Sequence, residues 1–550
     1  MSSDPSAART PCPQDAAVPP RVFFIVTLSA TMLGAALRFY ELDRPELWMD
    51  ENCTWYFVCD ASAFDFRSKT LLYENASRLY YMLLAGWTIL AGQDPWGLRS
   101  FSALLGTLTV PLMALWLRCV AGPAPAAMAA AITADHPLHV YYSREARFYP
   151  LWIVELICLL WTALLAARTD RRRYWVAYAG LFLAALWTHY FSLFLLPLAA
   201  ILPFVCPQRP RQWRRWCLAH LAVAGLFAPW FFSVVVPLSG RGNGDWIAYF
   251  FRDYPPWAAI PRTFAAFAPG GFYPSHVSYL PYASETARPA AMAGVVLLLA
   301  AAVAFVFPTR RAMLERKQRT FFIMAALVPL LSAWLYSLLK DPFYVVARYD
   351  LIAWPLTMVV LCVGLVELAR RAGGSRAALL IAGTAAVVTA LSITLIAVAA
   401  VRVTKTPRRE LISYLKADFR PDDRVIAFGV TRWDLCYYRA ALWPGAPVFE
   451  SYPAATDEHV GWSSPPRQLR ERPALVREAA ERAAAMRRTM SPGSTVWILL
   501  QGYDLERGLD DPPAQVDIIM IEALEAAGAV DRPTDGDLPI LALTWPSDSR

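Results

Sequence analysis

The chain has 550 residues, 57% of them hydrophobic and 17% charged, with a mean hydropathy of +0.35. That apolar content excludes an ordinary soluble domain and indicates a membrane protein. The formal charge of +8 is spread over loops, where Lys and Arg set membrane orientation, so nucleic acid is not implied.

Met1 to Pro20, rich in Pro, Ala and Ser, reads as a disordered cytoplasmic tail (residues 1–20). Arg21–Tyr40 is long enough to span the hydrocarbon and reads as a retained anchor. Further spans are expected at Gly97–Arg118, Ala124–Val140, Phe148–Ala167, Tyr174–Trp187, Phe191–Val205 and Cys217–Val236, and again at Ala290–Phe307, Thr320–Leu339, Leu351–Leu368 and Ala377–Val401. The total is about eleven, at roughly twenty apolar residues per crossing. Leu79–Leu90 is apolar but short. If it crossed, the basic clusters Arg168 with Arg171–Arg173, Arg209–Arg215, Arg310–Arg319 and Arg370–Arg376 would all move outside. It is therefore read as an interfacial helix, with Arg78, Tyr80, Tyr81 and Trp87 suited to the headgroup layer.

The expected fold is a polytopic α-helical membrane domain over residues 21–401, followed by a small external α/β domain over residues 402–550. In the latter, Glu410–Leu415, Leu475–Met490 and Val516–Ala527 read as helices, and Val425–Phe428 and Val496–Leu500 as short apolar runs. Nine cysteines show no zinc-site spacing. Cys53 and Cys59 share the first external loop, where an oxidising compartment permits a disulfide, and spacing leaves their pairing open.

The polar residues of interest fall on one external side. Asp50 and Glu51 follow the first span, and Glu145 sits among Arg144, Arg147 and aromatic residues at another membrane edge. Several stretches then occur in a telling order: Leu47-Trp48-Met49-Asp50-Glu51, Leu79-Tyr80-Tyr81-Met82-Leu83-Leu84, Leu98-Arg99-Ser100-Phe101-Ser102, Tyr142-Ser143-Arg144-Glu145-Ala146-Arg147-Phe148-Tyr149, Thr188-His189-Tyr190, and Ala347-Arg348-Tyr349 with Pro355. In these the chain resembles the GT-C class of membrane glycosyltransferases, in particular the dolichyl-phosphate-mannose protein mannosyltransferases and aminoarabinose transferases. One departure is Ala76-Ser77-Arg78, where the family often has a His-Pro-Pro-Leu-like sequence.

The resemblance implies a sugar donor built on a polyprenyl phosphate, transfer at the outer membrane face, inversion at the anomeric carbon, and a lipid, glycan or protein acceptor. The residues suit that chemistry: an attacking hydroxyl needs a carboxylate to take its proton, and a departing lipid phosphate needs cations. Asp50 is the expected base, with Glu51 orienting it or the acceptor and Glu145 as a further acidic residue. Arg348 is the expected phosphate ligand, since a guanidinium grips phosphate bidentately, with Arg147 second. Arg78, His189 and Tyr80 are candidates for substrate contact. No cofactor is expected to be required, although carboxylates on two loops could hold a divalent cation. The competing reading is a transporter or flippase of lipid-linked saccharide, which predicts ionisable residues near the bilayer midplane and two related halves.

Overall fold

The computed structural model describes residues 19–59, 78–205, 210–236, 255–270, 281–309, 312–340, 343–372, 407–458, 465–500, 512–534 and 538–546. The expected span Ala377–Val401 lies outside them.

The membrane part begins with α1 (Pro20–Phe39), the short α2 (Met49–Cys59), α3 (Arg78–Ala91) and α4 (Pro95–Ala121). Then come α5 (Pro123–Asp135), α6 (Pro137–Ser143), α7 (Tyr149–Thr169), α8 (Arg172–Thr188), α9 (Leu196–Val205) and α10 (Pro210–Trp230). It closes with α11 (Ala259–Ala266), α12 (Pro281–Val306), α13 (Arg316–Leu339) and α14 (Trp354–Ala372). Six helical stretches among the described residues are long and apolar enough to cross a membrane: Pro20–Phe39, Pro95–Ala121, Tyr149–Thr169, Gln212–Ser233, Arg316–Leu339 and Tyr349–Arg371. The protein is a multi-pass, mostly helical membrane protein.

Several expected spans have a different form. Ala124–Val140 is two helices, because Pro137 has no N–H to continue α5 and holds the preceding residue, His136, outside helical geometry at φ −58°, ψ 114°. Phe191–Val205 opens as a 3₁₀ turn over Tyr190–Leu195 before the ten residues of α9. α3, with 14 residues, would be about 21 Å long at 1.5 Å per residue, too short for the hydrocarbon core.

The 27-residue α4 packs against α1, α5 and α7. Asp94 caps it by accepting a hydrogen bond from the Gly97 N–H at 2.8 Å, with Pro95 at its start. Side-chain-free Gly106 lets the α6 end approach, since a Cβ there would collide with Ser143. Ser143 in turn accepts a hydrogen bond from Arg38 Nε at 3.3 Å. Arg38 is fully buried and directs its other N–H groups to the carbonyls of Gly34, Thr133 and Ala134 and to His139 Nδ1, joining α1, α5 and α6.

The C-terminal domain is a five-stranded sheet of order β2-β1-β3-β5-β4, formed by β1 (Arg424–Phe428), β2 (Phe449–Tyr452), β3 (Thr495–Leu499), β4 (Val530–Arg532) and β5 (Ile540–Thr544). β1 runs parallel to β2 and β3, while β5 is antiparallel to β3 and β4. Its helices are α15 (Arg408–Asp418), α16 (Thr431–Asp434), α17 (Cys436–Leu442), α18 (Pro465–Arg470), α19 (Arg472–Thr489) and α20 (Pro512–Ala526). Strand alternation divides the core: Ile426, Phe428 and Ile498 pack with Leu475, Ala479, Met486 and Met520 of α19 and α20. Val425, Ala427 and Trp497 face the other way, into the cluster that includes Leu411 and Leu415 of α15 and continues into the membrane part.

Candidate active site

α2 starts immediately after the loop that leaves α1, and its first turn holds Asp50 and Glu51. Neighbouring residues on an α-helix point about 100° apart, and the two carboxylates have separate environments. Glu51 is fully buried and faces Arg99 of α4, receiving hydrogen bonds from Arg99 Nε and Nη2, each at 2.7 Å. It also accepts from the Ala146 N–H at 2.9 Å and the Trp48 N–H at 3.3 Å. Its oxygens are committed to holding the α2 start against α4 and the loop between α6 and α7.

Asp50 faces the opposite wall. Its Oδ2 accepts a hydrogen bond from Arg348 Nη2 at 2.6 Å and lies 3.6 Å from Arg147 Nη2. Asp50 and Arg348 remain partly open, with side chains 16% and 18% exposed. Arg348 Nε donates to the Tyr149 hydroxyl at 2.7 Å, so the guanidinium is oriented at both ends. Burial acts against its charge, but Tyr149, Asp50 and Tyr349 outweigh that and hold its pKa well above the ordinary arginine value. It stays cationic.

Arg348 is aimed by the backbone before it. Ala347 has φ 59°, a left-handed conformation costly for a residue with a Cβ. Its carbonyl accepts the Tyr142 hydroxyl at 2.5 Å, and its N–H donates to Asp350 Oδ2 at 2.9 Å. Asp350 also accepts from the Thr263 hydroxyl at 2.5 Å, which ties this turn to α11. Such strain persists only where the surroundings over-determine it.

Arg147 donates through Nη1 to the Tyr81 hydroxyl at 3.3 Å. Its carbonyl accepts the Ser102 hydroxyl at 3.0 Å, and Ser102 pairs with the Tyr80 hydroxyl at 2.9 Å. Tyr80 is thus fully buried behind Arg147, and burial, only partly offset by Ser102, raises its pKa. His189 lies within a box of aromatic rings, 4.6 Å from Phe148, 4.9 Å from Tyr190 and 4.9 Å from Tyr349 between centroids. Its Nδ1 accepts from the Phe191 N–H at 3.2 Å. Burial, then Arg147 and Arg348, push its pKa well below the usual value, so it is neutral.

Glu145 is buried in the turn before α7, close enough to influence Tyr80, Arg99 and Tyr142 electrostatically. Arg144 instead clasps the end of α1, donating to the carbonyls of Leu37 at 2.9 Å and Tyr40 at 2.7 Å. Arg78 is half-buried at the start of α3. Cys53 and Cys59 are not joined by a disulfide. Among the described residues no group of three or more His, Cys, Asp and Glu gathers as a metal site.

The structure therefore brings together Asp50, Arg147 and Arg348, with His189 near enough to feel the field of the two arginines. It also supplies Tyr149 and Arg99, to which the sequence reading gave no role, and Tyr81, which was expected in the headgroup layer and is buried. Arg99 carried a signal: a charged side chain within an otherwise apolar span is costly and rarely idle.

Residues 77–237 match the family described as dolichyl-phosphate-mannose-protein mannosyltransferase. The fold matches the crystal structure of ArnT from Cupriavidus metallidurans bound to undecaprenyl phosphate, with a TM-score of 0.54 and 12% identity over 96% of this chain and 98% of that one. The fold is ArnT-like. The apo form of the same ArnT gives a TM-score of 0.53 and 12% identity, covering 95% of this chain and 97% of that one. No curated protein matches the sequence. The family model covers residues 77–237, and the ArnT structures, at 12% identity, share the fold over nearly the whole chain. The matched segment holds Arg147, Tyr149 and His189; Asp50 and Arg348 join them from outside it.

Proposed function

We propose that this protein transfers a sugar from a polyprenyl-phosphate-linked donor to a lipid, glycan or protein acceptor at the external face of the cell membrane. The carrying observation is the meeting of a carboxylate and two guanidinium groups in one partly open cleft, Asp50 with Arg348 at 2.6 Å and Arg147 at 3.6 Å. In the proposed step the acceptor hydroxyl attacks the anomeric carbon, its proton passes to Asp50, and the bond from that carbon to phosphate oxygen breaks. The leaving polyprenyl phosphate keeps the electron pair, and Arg348 and Arg147 stabilise its growing charge. Attack opposite the leaving phosphate inverts the configuration.

Asp50 and the sugar donor's phosphate compete for the same guanidinium. When phosphate occupies Arg348, Tyr149 still holds Nε and the Asp50 carboxylate is released toward the acceptor hydroxyl. Glu51 acts through Arg99 and the loop, and Glu145 through the field behind the cleft. With two guanidinium groups beside Asp50, the charge-stabilising task belongs to arginine, and no metal is required. The basic clusters around Arg168–Arg173, Arg209–Arg215 and Arg310–Arg319 support a cytoplasmic N-terminus and a periplasmic or extracellular C-terminal domain.

The test is purified full-length protein in nanodiscs, supplied with polyprenyl-phosphate hexoses and pentoses, with release of polyprenyl phosphate as the readout. Release that depends on the sugar and is abolished in Asp50→Asn supports the proposal. A folded protein that releases none from a panel of such donors, with native membrane extract as acceptor source, overturns it.

A further inference from the structure

The loop that presents Asp50 is gripped from two sides. From the membrane part, Arg99 Nη1 donates to the carbonyls of Leu42 at 2.9 Å and Pro45 at 2.7 Å, and Nη2 to that of Glu46 at 3.0 Å. From the C-terminal domain, the Tyr438 hydroxyl accepts a hydrogen bond from the buried Leu47 N–H at 2.6 Å. The Glu46 carboxylate accepts from the N–H groups of Arg408 at 2.9 Å and Arg409 at 3.1 Å, the first two residues of α15. A carboxylate is favoured there by the first-turn N–H groups, which have no carbonyl of their own helix to meet, and by the helix dipole. Cys436 Sγ donates to the Asn52 carbonyl at 3.2 Å. Apolar contacts complete the joint, with Tyr56 against Trp433 at 5.0 Å and Trp55 against Tyr437 at 5.6 Å between centroids.

These contacts span about 360 to 390 positions in sequence. Their common target is the 11-residue α2 and the turn that starts it. A helix that short is marginal without packing. The direction of Asp50 therefore depends on what α2 is pressed against, and one of those surfaces is the C-terminal domain.

We propose that the C-terminal domain forms one jaw of the active site, with Tyr438 and Glu46 as positioning residues that hold α2 so that Asp50 meets Arg348. This rests on the assignment of Asp50 as the base, while the clamp itself is a matter of geometry. Tyr438 and Glu46 touch no reacting atom. Tyr438 fixes the Leu47 N–H and the start of α15 fixes the Glu46 side chain, on either side of one peptide bond, three and four residues ahead of Asp50. The sugar donor's cations are held by other elements, Arg348 by Tyr149 and Arg147 by Tyr81. Loosening the jaw should act on turnover more than on use of the sugar donor.

The experiment uses full-length protein in nanodiscs and two independent readouts: hydrogen exchange of peptides covering Leu47–Thr54, and kcat and KM with a polyprenyl-phosphate sugar. Tyr438→Phe removes the acceptor and leaves the buried Leu47 N–H unpaired; exchange in that segment should rise about tenfold, as expected for one lost buried hydrogen bond. kcat should fall by a similar factor, with KM for the sugar donor within about twofold. Glu46→Ala should behave alike, and Glu46→Gln should fall between it and wild type because its remaining oxygen can still accept one N–H. Arg424→Ala, which breaks the exposed pair with Glu450 in the same domain, should change neither readout. Unchanged exchange over Leu47–Thr54 in Tyr438→Phe overturns the clamp, whatever the activity. Faster exchange with unchanged kcat overturns its link to catalysis. Full activity of Asp50→Asn would remove the base assignment, and the exchange readout would still decide the clamp.

Discussion

Replacing Glu51 by Gln should damage folding, whereas replacing Asp50 by Asn should damage chemistry, although the two residues are adjacent. Glu51 Oε1 takes Arg99 Nε and the Ala146 N–H, while Oε2 takes Arg99 Nη2 and the Trp48 N–H. A glutamine can keep the first set through its oxygen, but its NH₂ then faces two donors, and Arg99, 2% exposed, loses its counter-charge. Breaking a buried ion pair from one side costs about 3–5 kcal/mol. Arg99 retains the carbonyls of Leu42, Pro45 and Glu46, which puts the expected loss near the lower end, about 3 kcal/mol. For Asp50→Asn the loss should be about 1 kcal/mol, because Arg348 keeps Tyr149 and the cleft admits water. Its turnover should fall by a factor on the order of a hundred or more. Thermal unfolding can be followed by a thiol-reactive fluorophore, since Cys53, Cys362 and Cys436 are buried thiols outside any disulfide. Glu51→Gln with a wild-type unfolding temperature and a selective fall in kcat would refute the structural assignment of Glu51 and return it to the chemistry.

Arg348→Ala is expected to weaken use of the sugar donor more than use of the acceptor, and Arg348→Lys to recover only part, because lysine cannot donate to Tyr149 and phosphate in the same fork; a titration of the sugar donor in membranes checks this, and unchanged dependence rejects it. His189 is held neutral, with its folded pKa well below the roughly 6.5 of an unfolded histidine. The unfolded chain therefore binds the extra proton first, so the stability contribution is complete above about pH 6.5 and is lost as pH falls toward the folded pKa, at up to about 1.4 kcal/mol per pH unit. His189→Asn should flatten the fall in unfolding temperature between pH 7 and 5.5, and parallel curves would contradict this. Chelation by EDTA should leave turnover unchanged, measured against add-back of magnesium or manganese, because the Asp50 carboxylate faces guanidinium groups in its cleft.

The apolar scaffold was legible because spans depend on sums over many residues, and single errors average out. The same averaging hid the break at His136-Pro137, where one missing N–H matters more than mean hydropathy. In the C-terminal domain, the apolar runs at Val425 and Val496 became β1 and β3 because short β-rich segments between helices form parallel sheets. The sheet order, with β5 inserted between β3 and β4, has no local signature. Nor could spacing separate Asp50 from Glu51 without knowing what each face of α2 meets. The resemblance named the stretches around Asp50, Glu145 and Arg348, but a contact across 298 positions such as Asp50 to Arg348 is a product of packing.

The two neighbouring carboxylates show how the fold separates holding from reacting. A base must exchange partners during turnover, so it needs a site where its counter-ion can be drawn away. Asp50 meets that condition, since Arg348 has a second anchor in Tyr149 and an open side facing the cleft. Glu51 does not, since all its acceptor directions are filled from four donors and it is fully buried. The rigidity of the second makes the exchange by the first productive: with Arg99 and the C-terminal domain fixing the stretch Leu42–Asn52, Asp50 can release Arg348 without moving its own backbone. A reactive group whose partner can be drawn away, on a backbone that is tightly held, is what pre-organised charge chemistry at a membrane edge requires.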